Sequence, residues 1–322
     1  MNILQNNLPD ITKPFFAYGV FRPGEISFLG IKDYVDLDNC KKDDIFGYLS
    51  IWDGMSILCK DNNNKTSGYI INFKNKNCAQ EAYSFINDIE PIDDKNKLYN
   101  WDEDTPIDYS GRVNLLVQAN KFPETKNNDP EDWPTIWLDP FFNIETKDSA
   151  ISILLDYKIP KFDNTGNAFP SFEPLFDLQM HYLMLWTVIE RFVFFRYGKK
   201  ESIKSGNRTI TESLFEFSKS DYFQNGCKMH ITIKDRKVFS SDKGSPTSLF
   251  YGNKYNISYY YQVRNNITHR GKGRGASKID YNILSNSFSE LRKIMEYVLK
   301  ETKAECDKIK EKIDQNYEKR TN

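Results

Sequence analysis

The sequence predicts an α+β protein: a small mixed β-barrel-like domain over residues 1–125, a linker over 126–169 and an all-α helical bundle over 170–322. Two observations carry this prediction. Apolar spacing changes from short β-branched and aromatic runs to helical periods after about residue 170. Charge changes as well: residues 1–150 carry 15 Lys+Arg against 25 Asp+Glu, whereas residues 151–322 carry 29 against 20. A chain polarised in this way has parts that meet different partners, or halves that attract each other.

In the first part, "PFFAYGVF", "DIFGYLSIW", "SILCK", "SGYIINF" and "RVNLLVQA" read as strands between turn signals. "CAQEAYSFINDIE" places Ala79, Ala82, Tyr83, Phe85, Ile86 and Ile89 at the spacing of a short amphipathic helix. "FPETKNNDPEDWPTIWLDP", with four prolines, reads as a linker whose Trp133 and Trp137 pack on something.

In the second part, Ser171 suits an N-cap for a helix that carries Glu173 and Pro174 in its first turn and ends at Tyr197, with Gly198 as its C-cap. A shorter helix falls near "TITESLFEFSKS", an irregular insertion over about 221–250, and a further helix on "SYYYQVRNNITHR". The last helix takes Asp280 as N-cap and carries an apolar stripe of Ile283, Leu284, Phe288, Leu291, Ile294, Met295 and Val298. Its charged tail continues as an exposed helix, which makes about four helices in all.

Bulk features exclude several classes. The hydrophobic fraction of 39% with 15% aromatic is that of a globular chain, and the N-terminus lacks a secretory signal pattern. The apolar run before Gly198 is broken by Asp177, His181, Glu190, Arg191 and Arg196, so no membrane span is expected. Five scattered cysteines without a CxxC pair point to a reducing, cytoplasmic setting with no structural metal. No cofactor is expected.

The chain has 3 histidines, and His269 stands in "VRNNITHRGKGRG", five residues after Arg264. That spacing alone is a weak signal. Its setting adds weight, because Asn265 follows the arginine and a basic, glycine-rich run follows the histidine. On a helix, five residues amount to about 140° and about 7.5 Å of rise, so both side chains reach one cleft if His269 lies in the last turn. The chemistry these groups suit is metal-independent RNA cleavage. His269 withdraws the 2′-hydroxyl proton, and Arg264 holds the phosphate and the charge growing on its oxygens. Arg270, Lys272, Arg274 and Lys278 supply attraction to the RNA backbone without base readout. A two-fold dimer would bring a second His269 to serve as the acid. The plain alternative is that Arg264 pairs locally and His269 is an ordinary helix-end residue.

"YYYQVRNNITHRGK" followed by "DYNILSNSFSELRKIMEYVL" resembles the Apea-like branch of the HEPN superfamily, over about residues 170–300. The resemblance implies a bundle of about four helices and a dimeric, metal-independent ribonuclease whose motif is Arg264, Asn265 and His269. It also implies a bacterial toxin-like or antiviral setting, with an antitoxin or a phage-derived trigger as a partner. One subgroup of that family carries a modifiable tyrosine two residues after the histidine. Here Gly271 takes its place, so that form of control is not implied.

The second motif is "FFAYGVFRPGE", a strand running into a turn, with Gly19 allowing close backbone approach to a ligand. Glu90 ends the expected helix among apolar neighbours that raise its pKa. A hairpin plus a helix-end acid is the plain reading. Together with "IFGYL", "SGYIINF" and Tyr99, the motif resembles the γ-glutamylcyclotransferase-like (AIG2-like) fold over roughly residues 13–122. That resemblance implies a carboxylate-binding loop at Tyr18, Gly19, Val20 and Phe21, with Glu90 as acid/base. Val20 stands where the family has Ser or Thr, and Phe21 where it has Leu, which favours a sensing or regulatory domain over a working cyclotransferase. Two further readings stand beside the nuclease: a non-catalytic HEPN module for dimerisation or RNA binding, and a cyclotransferase whose helical half builds an oligomer. In the acidic half, Asp102, Glu103, Asp104, Glu131 and Asp132 are candidates for covering a basic groove.

Overall fold

A computed structural model describes residues 8–52, 55–90, 92, 98–119, 149–161, 172–201, 208–239, 246–270 and 278–321. The chain is α+β and divides into two compact units. The first contains residues 1–139, 195–198 and 302–322, and the second 140–194 and 199–301.

The first unit runs β1 (Phe15–Ala17), α1 (Ile26–Ile31), β2 (Lys41–Phe46), β3 (Tyr48–Trp52), β4 (Met55–Cys59), β5 (Lys65–Ile71), α2 (Lys76–Ile89), β6 (Tyr99–Asp104) and β7 (Val113–Gln118). Five strands form a mixed sheet in the order β2-β5-β1-β7-β6, with β1 and β7 parallel and the other neighbours antiparallel. β3 and β4 pair as a separate hairpin, and the described strands do not close into a barrel. β1 is central and buried on both faces. Phe16 joins Tyr18, Leu49, Leu58, Ile70 and Leu115 on the hairpin side, while Phe15 meets Tyr83 of α2 and Trp101 edge-on.

"DIFGYLSIW" reads as one strand but is broken in two. Gly47 adopts φ 150, and a Cβ there would lie 2.8 Å from the Cys59 carbonyl oxygen. That bend moves the chain from the sheet to the hairpin. β6, "YNWDED", gave no strand signal because its acids resemble a loop. They are held by cations instead: Lys60 lies 2.6 Å from Asp102 and 3.3 Å from Asp104, and Lys13 lies 2.6 Å from Glu103. Arg112 adds a second contact to Glu103 at 3.1 Å.

The second unit begins with α3 (Ser149–Asp156), inside the stretch read as linker, followed by α4 (Phe172–Tyr197), which ends where Gly198 takes φ 65. A short pair, β8 (Lys200–Glu201) and β9 (Arg208–Thr209), precedes α5 (Ile210–Lys219) and α6 (Asp221–His230). The region expected to be irregular therefore starts as a helix, capped by Ser220, whose side chain accepts from the Phe223 amide. Two small hairpins follow, β10 (Lys237–Val238) with β11 (Thr247–Ser248), and β12 (Phe250–Tyr251) with β13 (Lys254–Tyr255). α7 (Ile257–Arg270) and α8 (Lys278–Thr321) complete the chain.

Beyond residue 170 five helices are thus described where about four were expected, and α3 precedes them. α8 starts two residues before Asp280, and its expected stripe is buried from Leu284 to Val298, with Ile283 half-buried. Its tail is helical but not an exposed arm. Thr302, Cys306 and Ile313 are buried, and Tyr69 donates to Asp314 at 3.1 Å within the first unit. Among the described residues no helix is long and apolar enough to cross a membrane.

Candidate functional site

α7 begins at Asn256, whose side chain accepts from the Ser258 amide at 2.9 Å. Tyr259, Tyr260 and Val263 bury one face, and the Tyr260 carbonyl accepts from the Tyr182 hydroxyl of α4 at 2.8 Å. This packing turns Arg264 toward α4. Its Nη2 lies 3.8 Å from Glu190 Oε1, and its Nη1 donates to Asn265 Oδ1 at 3.3 Å. The guanidinium stands 5.6 Å from the ring centre of Tyr261, which is braced edge-on by Trp186. Arg264 Nε is buried without a hydrogen-bond partner among the described residues. The Arg264 side chain is thus held by neighbours while 31% exposed, and its terminal nitrogens have more N–H groups than these two contacts use.

His269 and Arg270 lie in the last turn of α7, and Lys278 opens α8, with only their backbone described. Lys272 and Arg274 lie outside the described residues. Asn265 orients Arg264, and Thr268 Oγ1 donates back to the Asn265 carbonyl at 3.0 Å. Glu190 and Tyr261 were not foreseen as site residues. The signal was present in Glu190, an acid inside the most apolar run of the chain.

A different site lies in the first unit. After β1 the chain turns through Gly19–Arg22, closed by the Arg22 amide donating to the Gly19 carbonyl at 3.0 Å. Phe21 is buried edge-on to Phe15 and Phe85, and Val20 packs against the hairpin-side core. These contacts explain why apolar residues suit those two positions. Glu90 caps the C-terminus of α2, its amide donating to the Ile86 carbonyl. Burial alone pushes its carboxyl up to about 8, from an ordinary 4.5. The Tyr18 and Tyr99 hydroxyls are both raised, chiefly by burial and secondarily by the Glu90 charge, which brings the three groups together. Tyr18 donates to the Leu116 carbonyl at 2.8 Å, and Cys59 Sγ donates to Gln118 Oε1 at 3.1 Å beside them.

Among the described residues, no three His, Cys, Asp or Glu side chains are gathered so as to hold a metal ion. Compared with known proteins, the chain matches no family model, no curated protein and no solved structure.

Proposed function

We propose that the helical unit is a metal-independent endoribonuclease of the HEPN type. The observation that supports this most is Arg264, held by Glu190 and Asn265 with its side chain partly exposed, five residues before a histidine in the last turn of the same helix. In this reading Arg264 takes a phosphate oxygen, and His269 removes the 2′-hydroxyl proton. The 2′-oxygen attacks phosphorus, and the 5′-oxygen leaves and takes a proton from water, giving a 2′,3′-cyclic phosphate. The residues from Arg270 to Lys278 attract the RNA backbone. The toxin-like or antiviral role rests on the sequence resemblance alone.

The test is cleavage of total RNA by the purified full chain, with and without EDTA. Cleavage that resists EDTA and leaves cyclic phosphate ends is expected, with loss in Arg264→Ala and in His269→Ala. Undiminished cleavage by both variants overturns the assignment, and strict metal dependence overturns the mechanism.

The raised Glu90 carboxyl favours a second reading, for the first unit only. In it the half-open sheet and hairpin form a γ-glutamylcyclotransferase-like pocket used for sensing or regulation, where a protonated Glu90 donates to a polar ligand. Formation of 5-oxoproline from γ-glutamyl amines, lost in Glu90→Gln, would make the domain an enzyme instead.

A further inference from the structure

Two different elements border the open face of α7. Taking Arg264 as the origin of a helical wheel, Asn265 falls at about 100°, the His269 position at about 140° and Asn266 at about 200°. The buried Tyr259, Val263 and Tyr260 fill the remaining arc, from about 220° to about 320°. The open face therefore runs from Arg264, beside Glu190 of α4, past His269 to Asn266, beside the end of β10. At that far edge Asn266 Nδ2 donates to the Phe239 carbonyl at 2.9 Å, and Gln262 Nε2 donates to Asn266 Oδ1 at 3.0 Å.

Residues 236–239 alternate as a strand does. Arg236 turns inward onto Glu290 at 2.5 Å and Val238 is buried, whereas Lys237 and Phe239 face outward. Phe239 is 62% exposed among the described residues, yet its backbone is tied to α7 and the preceding Val238 pairs with Thr247 of β11. A ring held in place at the open edge of a site, with a lysine on one side and an asparagine on the other, is a platform and not a patch of core left uncovered.

We propose that Phe239 is a substrate-positioning residue: a base of single-stranded RNA stacks on its ring, flanking the scissile phosphate, and Lys237 takes a backbone phosphate beyond it. This deepens the nuclease reading and rests on it. The His269 position is about 60° around α7 from Asn266 and about 4.5 Å along it, so a strand that reaches from Arg264 past His269 arrives at Phe239. An aromatic face accepts any base, but only one that is not already stacked in a duplex, so the platform selects single strands and not a sequence. Asp235 shares the outward face but stands four residues from Phe239, about 13 Å by strand rise. Glu290 is engaged by Arg236 and Tyr260. Neither acid opposes a phosphate at Lys237.

Cleavage and binding by the full chain test this. In steady-state cleavage of a single-stranded RNA, Phe239→Ala should raise KM about tenfold and leave kcat within a few-fold, as the loss of one base stack. Phe239→Leu, which keeps apolar bulk without a ring, should do the same, while Phe239→Tyr should match the wild type. Binding is read with a single-stranded 2′-O-methyl oligonucleotide carrying 2-aminopurine, which cannot form the cyclic phosphate. Its fluorescence should be quenched by the wild type and by Phe239→Tyr, and far less by Phe239→Ala. Thermal melts of all four proteins should coincide, because the ring is exposed. Wild-type behaviour of Phe239→Ala or Phe239→Leu overturns the platform and leaves the nuclease reading standing; a ring reserved for a protein partner gives that result. Quenching that depends on Phe239 in a wild type that cleaves no RNA overturns the nuclease reading and leaves the platform. A wild type that neither binds nor cleaves single-stranded RNA overturns both.

Discussion

The Arg264 site and the Glu90 site solve opposite electrostatic problems. Arg264 keeps its charge at a partly open surface, where an acid, an amide oxygen and an aromatic ring hold the guanidinium without using all its donors. Glu90 is held in apolar surroundings that disfavour its charge, so near neutral pH it remains largely protonated. The first arrangement is ready for an anion, and the second stores a proton. Both sit at the end of a helix or in its last turns. The difference comes from what packs around them, not from the elements that carry them.

The largest expected effect separates the two sites directly. Arg264→Ala or His269→Ala should lower RNA cleavage by about 10²-fold or more, while Glu90→Gln leaves it within a few-fold. If Glu90→Gln abolishes cleavage as well, the sites are not independent. Next comes stability. Because the folded pKa of Glu90 is raised, the folded state holds a proton that the unfolded chain has lost between pH about 4.5 and about 8. Stability should therefore fall as pH rises through that window, by at most roughly 3 kcal/mol at pH 7. Glu90→Gln should flatten that fall and raise Tm above pH 6 or so. A thermal-melt series across pH in both proteins checks this, and a parallel decline in the two would refute the raised pKa.

A smaller effect is expected at Glu190→Gln. The 3.8 Å ion pair is partly exposed, so its loss should cost under about 1 kcal/mol of stability. The change should appear instead in the apparent KM for RNA, since Arg264 then has one competitor fewer for the phosphate. The smallest concerns Asp102→Asn. Lys60 lies between Asp102 and Asp104, and Lys13 and Arg112 pair with Glu103, so the loss of one carboxylate leaves a local charge set that is still held. RNA cleavage should not change, and stability should drop by about 0.5 kcal/mol. A marked gain in cleavage would instead support the reading in which the acidic half restrains the nuclease.

The sequence by itself determined the α+β class, the change of period near the middle of the chain and most of the strands of the first unit. It also determined the end of α4 at Gly198, the buried stripe of α8 and the placing of Arg264 and His269 on one helix. These follow from local spacing and from glycine's backbone freedom, which a reader of residues sees directly. Only the tertiary structure decided that Gly47 divides one apparent strand between two sheets, because the clash that forbids a side chain there comes from Cys59 across the hairpin. Only it showed that "YNWDED" is a strand, since its acids are held by Lys13, Lys60 and Arg112 from elsewhere in the chain. The same holds for the tail of α8, where Thr302, Cys306 and Ile313 are buried and partners of the tail, such as Lys32 for Glu305 and Tyr69 for Asp314, lie more than 200 residues away in sequence. Glu190 as the partner of Arg264 belongs here as well. A contact between residues 74 positions apart leaves no periodic trace, and only packing of α7 on α4 brings those two charges within reach.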